Sequence, residues 1–368
     1  MTRLRNLLIS RWGPVITGAI IGILAPILVY YGNPGNMGIC VACFTRDIAG
    51  ALGLHRAAPV QYIRPEIIGL LLGALFAALA AREFRPRGGS SPLIRFFLGL
   101  FAMIGALVFL GCPWRAYLRL AGGDVNAIPG IVGLVIGIVI GVQFLARGFS
   151  LGRSRPAPAA AGWIMPALAV VLLVLLLTAP LFGRDADGVP TGPIYFSSTG
   201  PGSMAAPVAL SLVVGLVIGA LAQRSRFCTV GAFRDVILLR DAHLLRGIIA
   251  LVLAAFVTNL VLGQFHLGLA DQPVSHTNAL WNAGGMVLAG LAFTLAGGCP
   301  GRQLFMSGEG DADAGVFVLG MAAGAAVSHI YSLASAPAGP APYGPAAVVL
   351  GLIFCVVIGF TARDHQSA

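Results

Sequence analysis

The sequence predicts an all-α integral membrane protein of about ten transmembrane helices, arranged as an inverted 5+5 repeat with re-entrant cysteine-containing loops. Three observations carry this expectation. Of the 368 residues 58% are hydrophobic and only 10% charged, far from soluble proportions. Apolar runs long enough to cross ~30 Å of hydrocarbon recur along the chain. Two motifs are also written twice: ICVACFTRD (39–47) returns as FCTVGAFRD (227–235), and GCPWRAYLRLAGGD (111–124) as GCPGRQLFMSGEGD (298–311). Cys40 matches Cys228 at an offset of 188, and Cys112 matches Cys299 at 187, so both motifs report one duplication.

The apolar runs lie near 12–31, 65–81, 93–110, 127–146, 163–182, 205–222, 247–265, 280–297, 315–334 and 343–362. The first exceeds a signal-peptide core of ~7 to 15 residues and no small-residue cleavage site follows, so it reads as a retained helix. Residues 1–199 form the first repeat with an external linker, and 200–368 the second. Five crossings per repeat is an odd number. Matching helices must then run in opposite directions, as in many transporters. Gly18/Gly22, Gly133/Gly137/Gly141 and Gly215/Gly219 supply the small-residue spacing that brings membrane helices close. The segment 184–203 is Gly/Pro/Ser-rich and suits a linker outside the membrane.

The formal charge of +10 resides in 23 basic residues, all arginine. They cluster in short loops between apolar runs, which argues against nucleic acid and for the positive-inside rule. With the N-terminus inside, only Arg46, Arg56, Arg64, Arg115, Arg119 and Arg184 fall on the outer side. A rival topology that makes 37–54 a crossing would place REFRPR (82–87) outside, and is rejected.

Each duplicated motif begins where an apolar helix ends. Polar backbone at membrane depth is tolerated only where it is buried in protein or lines a cavity, so these segments are expected to be re-entrant loops with short half-helices. Cys40, Cys43 and Cys112 would approach from outside, Cys228 and Cys299 from the cytoplasm. Cys355 lacks a counterpart, as Ala167 stands near that position, and reads as a packed hydrophobe. Cys43 has Gly231 opposite it and is either an extra sulfur or a tolerated small residue. Arg46 and Arg234 have adjacent Asp47 and Asp235, while Asp124 and Asp311 are the available partners for Arg115 and Arg302. Structural neutralisation and anion attraction both remain open for these four arginines. Thr258, Asn259 and His329 are expected to hydrogen-bond between helices.

Thiols beside positive potential suit a small anion with a polarisable sulfur or selenium atom. A bare oxyanion needs only arginine and backbone N–H groups, and a soft metal ion would not want the arginines. No phosphate-binding G-x-x-x-x-G-K-[ST] sequence occurs and no cofactor is expected.

The paired cysteine motifs, the ten-helix pattern and GCPWR/GCPGR resemble the YeeE/YedE family of bacterial inner-membrane sulfur transporters, over nearly the whole chain. NPGNMGICVACFTRDIAGALGLHRAAPVQYIRPE (33–66) and EFRPRGGS (83–90) are similar to its YedE branch, a candidate selenium-transporter branch. The resemblance implies passage of a small anion, selenium favoured and a thiosulfate-like species next, along Cys40, Cys112, Cys228 and Cys299. It also implies the bacterial inner membrane; the arginine split puts both termini in the cytoplasm, and without a nucleotide-binding motif transport must run on a gradient, downhill flux or coupling to a cytoplasmic acceptor such as a sulfur or selenium carrier protein. Two other functions compete: a membrane thiol–disulfide oxidoreductase using the Cys40/Cys43 C-x-x-C pair, and soft-metal transport, which lacks the Met- and His-rich segments it would need. The arginine split makes the orientation testable: reporters fused in 184–203 are expected outside, and both termini and 82–95 inside. Reporters in 82–95 reading outside would contradict it.

Overall fold

A computed structural model describes residues 8–179 and 191–363. Arg3, Arg5, Arg184, both termini and linker residues 184–190 lie outside the described residues. The described chain forms fourteen α-helices: α1 Gly13–Tyr30, α2 Val41–Ala51, α3 Pro65–Ala80, α4 Pro92–Phe109, α5 Pro113–Ala121, α6 Ala127–Ala146, α7 Ala159–Thr178, α8 Val208–Ser225, α9 Thr229–Leu239, α10 His243–Val261, α11 Ala279–Ala296, α12 Pro300–Gly308, α13 Ala312–Ile330 and α14 Gly344–Thr361. The protein is an all-α membrane protein: among the described residues ten helices are long and apolar enough to cross a bilayer, and they coincide with the ten runs read from the sequence.

The other four, α2, α5, α9 and α12, have 11, 9, 11 and 9 residues. At 1.5 Å per residue each spans roughly half the ~30 Å hydrocarbon layer. All four start within the duplicated motifs. The stretch 37–54 is therefore no crossing of its own, since its helix α2 covers only Val41–Ala51.

Proline at the first helical position opens α3, α4, α5 and α12, where the missing N–H costs nothing. Helix α4 ends in a left-handed residue, Leu110 at φ 65°, and its counterpart α11 in Gly297 at φ 91°. Glycine adopts that conformation freely, whereas leucine is strained there. The strain falls one residue before the Gly-Cys-Pro of the motif.

Glycines set the helix pairing by letting backbones touch. A Cβ on Gly18 would strike the Gly247 carbonyl and one on Gly22 that of Leu251, fixing α1 parallel to α10. Gly69 and Gly73 of α3 meet Leu212 and Leu216 of α8, and Gly219 meets Leu70 in return. Helix α4 lies along α13 through Gly99 on Phe317 and Gly320 on Phe96, and α6 lies along α11 through Gly133 on Ala283 and Gly137 on Val287. The pairs come in matching couples: α1/α10 corresponds to α8/α3, and α4/α13 to α11/α6. Counterparts that touch run antiparallel. Gly105 of α4 meets Ala289 while Gly285 of α11 meets Phe109, and Gly13 of α1 approaches Ser225 while the Thr17 hydroxyl reaches the Leu221 carbonyl.

This packing makes a prediction about α3 and α8. Gly219→Ala puts a methyl group against the Leu70 carbonyl, an overpacking cost of about 1–3 kcal/mol, and is expected to lower the thermal midpoint of the detergent-purified protein. Gly284→Ala, whose Cβ meets nothing closer than the Trp281 ring at 3.4 Å, is expected to leave it unchanged. Equal midpoints for the two variants would contradict the backbone contact.

Candidate functional site

Each duplicated cysteine is the residue immediately preceding a short helix: Cys40 before α2, Cys112 before α5, Cys228 before α9 and Cys299 before α12. The Cys40 Sγ accepts the Cys43 backbone N–H at 3.3 Å, and Cys228 Sγ accepts that of Gly231 at 3.2 Å. Sulfur thus takes the capping place usually held by serine, threonine or aspartate oxygen. The Cys43/Gly231 pair plays the same backbone part in both halves, and only the first half adds a third sulfur.

The thiols gather in two groups. In the first, Cys40 Sγ lies 2.8 Å from Cys43 Sγ and 3.7 Å from Cys112 Sγ. In the second, Cys228 Sγ lies 3.7 Å from where a Cβ on Gly298, the residue before Cys299, would stand. All six cysteines are free and buried, and Cys355 stands apart in α14.

The arginines at the motifs are occupied. Arg46 pairs with Asp47 at 2.6 Å, and Arg64 reaches the same carboxylate at 2.8 Å from the other side. Arg64 also donates to the carbonyls of Met204 and Pro201, tying the linker to the interior. Arg234 pairs with Asp235 at 2.8 Å in a more open setting. Arg115 does not bind Asp124, nor Arg302 Asp311, as the sequence had suggested. Asp124 is taken by Arg119 at 2.7 Å and Asp311 by Arg87 at 2.8 Å, and Arg302 turns to Glu309 at 3.3 Å. The reason lies in the broken helices, whose last carbonyls need donors in a medium without water. Arg115 donates to the carbonyls of Leu110, Asn36 and Val274 and stands 3.5 Å from Cys43 Sγ. Arg119 donates to the Phe109 carbonyl at 3.0 Å. At the matching end of α11, Arg95 and the Gln303 amide both serve the Ala296 carbonyl at 3.0 Å.

Two expected interhelical bonds are replaced. The Thr258 hydroxyl bonds back to Ala254 in its own helix at 2.7 Å, and His329 stacks on His55 with ring centroids 4.5 Å apart while its Nε2 has no hydrogen-bond partner. Asn259 is buried beside a depression of about 230 Å³ that is also lined by Asn36, Met37, Gly38 and Gln272, next to the first sulfur group. A second depression of about 460 Å³ carries Arg11, Arg224, Arg226, Arg246 and Glu83, next to the segment leading into Cys228. Partial burial would raise the Glu83 carboxyl, but hydrogen bonds from Gln223 and Arg224 and the charges of Arg224 and Arg226 hold it below the usual carboxylate range.

Sequence reasoning missed several residues now seen at the site. Arg64 and Arg95 lie far from the motifs in sequence. Trp114, Tyr117 and Thr229 lie inside them and are buried among the sulfurs. The signal was available for Trp114, because Gly301 occupies its place in the repeat and a Cβ there would lie 3.0 Å from the Trp114 ring.

A ten-span helical protein whose duplicated cysteines cap four short interior helices is a polytopic membrane protein of the transporter class. The family described as sulphur transport matches residues 2–140 and 224–360, and the chain belongs to it. Over 99 residues the chain is 33% identical to the thiosulfate transporter TsuA of Spirochaeta thermophila. That stretch is 27% of this chain and 29% of the relative, so the chain matches less than a third of the relative's length.

Proposed function

We propose that the protein carries a small anionic sulfur or selenium compound intact across the bacterial inner membrane, handing it between the two sulfur groups. One observation carries the reading: four cysteines fixed by an internal duplication cap four short helices and meet in two buried groups. The chain is an inverted repeat in this account, with α2, α5, α9 and α12 as re-entrant half-helices. The antiparallel packing of counterparts such as α4 and α11 supports it. Thiosulfate is the first substrate to try, because a relative bears that name, and a selenium oxyanion is the second.

Protonated thiols donate weak S–H bonds without repelling an anion. Successive weak sites also let a solute leave as readily as it enters. Arg46, Arg115, Arg234 and Arg302 contribute positive potential beside the thiols, each held in place by a carboxylate or by backbone carbonyls. The basic depression around Arg224, Arg226 and Arg246 suits an acidic cytoplasmic carrier as acceptor. The 2.8 Å approach of Cys40 and Cys43 favours a second reading, thiol–disulfide exchange at that pair.

Uptake of labelled thiosulfate and selenite into proteoliposomes tests the first reading. Cys112→Ala and Cys299→Ala are expected to abolish flux and Cys355→Ala to spare it, at equal folded protein. Serine at Cys40, Cys112, Cys228 or Cys299 keeps a donor of similar shape, so each serine variant is expected to retain more flux than its alanine equivalent. A covalent sulfur or selenium adduct on Cys112 or Cys299 during turnover, with serine as inactive as alanine, would instead establish thiolate chemistry.

A further inference from the structure

Three buried polar side chains around the second sulfur group have no hydrogen-bond partner: the Trp114 Nε1–H, the Tyr117 hydroxyl and the Thr229 hydroxyl. Trp114 and Thr229 are fully buried and Tyr117 is 3% exposed. Buried donors without acceptors are rare and costly, so each calls for an explanation. Trp114 and Tyr117 stand three residues apart on α5 and share a helical face. The Trp114 indole lies over Gly301, two residues beyond Cys299, with Nε1 3.4 Å from where a Gly301 Cβ would be, and its ring meets Phe227, the residue before Cys228, edge-on at 5.8 Å. Helix α5, which carries Tyr117, touches α9, the helix that Cys228 opens. Thr229 opens α9 directly after Cys228, and its hydroxyl has no hydrogen-bond partner.

We infer that Trp114, Tyr117 and Thr229, with the thiols of Cys228 and Cys299, form a binding site for a small oxyanion bearing one soft atom. The inference rests on the transport reading and adds the residues that grip the solute's oxygens. The donors are an indole N–H and two hydroxyls, groups that can all offer hydrogen to an anion. The N-termini of α9 and α12 add partial positive charge without an ion. Oxygens of the solute face the N–H and O–H donors and its terminal sulfur or selenium faces the thiols. The counterparts in the other half are Gly301, Leu304 and Val41, which offer no such donors. The two sulfur groups therefore differ in kind: the first has an arginine 3.5 Å from a thiol, and the second is addressed by neutral donors.

Tyr117→Phe and Thr229→Val remove one hydroxyl each with little change of shape. Their effect is measured as thiosulfate and selenite affinity, from ligand-dependent thermal stabilisation of purified protein, and as proteoliposome uptake. Each is expected to weaken affinity about tenfold or more, as loss of a hydrogen bond to an anion does, while the unliganded midpoint stays equal or rises because an orphan donor has gone. Wild-type affinity in both variants, in a protein that transports, would overturn the site and leave the transport reading standing. Weaker binding accompanied by a lower unliganded midpoint would mark the hydroxyls as structural and also overturn it. If wild-type vesicles take up neither anion the transport reading fails. The site then stands only if thiosulfate or selenite still stabilises wild type and the variants weaken that effect, and it falls if neither anion stabilises wild type.

Discussion

The architecture depends on one constraint: a helix that stops inside the packed protein interior leaves carbonyl oxygens that water cannot reach. Helices α4 and α11 both stop this way, each two residues before a Gly-Cys-Pro turn. At α4 the answer is Arg115 and Arg119 on the carbonyls of Leu110 and Phe109. At α11 it is Arg95 and Gln303 on Ala296. Cations are favourable at helix C-termini, so burial of these charges is compensated by the backbone. Arg119 adds Asp124 and the Ser275 hydroxyl, and Arg115 adds the carbonyls of Asn36 and Val274 in two loops. The charged residues at the motifs therefore hold the breaks open. The cysteines are then free to face one another.

Once the breaks are stable, the short helices present N-termini where the cysteines sit. In α2 and α9 the sulfur itself closes the first turn. In α5 and α12 proline follows the cysteine and removes one of the amides that would need a partner. The sulfur atoms are thereby placed by backbone geometry more than by side-chain packing. That explains why all four recur at the duplication offset, whereas Cys355 on the flank of α14 has no counterpart.

Much of this was legible in the sequence. The ten long helices followed from run length alone, and the four short helices from duplicated cysteine motifs that begin where apolar runs end. The pairing of Arg46 with Asp47 and of Arg234 with Asp235 is local and was visible as adjacency. The partners of Arg115 and Arg302 were not, because the competing acceptors are backbone carbonyls and the Glu309 carboxylate, and spacing to the nearest aspartate says nothing about helix ends. Arg64 on Asp47 joins residues 17 apart across a loop, which only the packing of α2 against the start of α3 brings together. Departures from the repeat were informative where agreement was not. Trp114 facing Gly301 marks a place where the halves had to differ to share one interior.

The central claim is that the two buried sulfur groups are the stations of a single transported anion. The most direct measurement is anomalous diffraction at the selenium edge from crystals grown with selenosulfate, the thiosulfate analogue whose terminal atom is selenium. The account predicts selenium density against Cys40, Cys43 and Cys112, against Cys228 and Cys299, or against both groups. Selenium found only in the arginine-lined depression by Arg224 and Arg246, with both sulfur groups empty at saturating ligand, would contradict it.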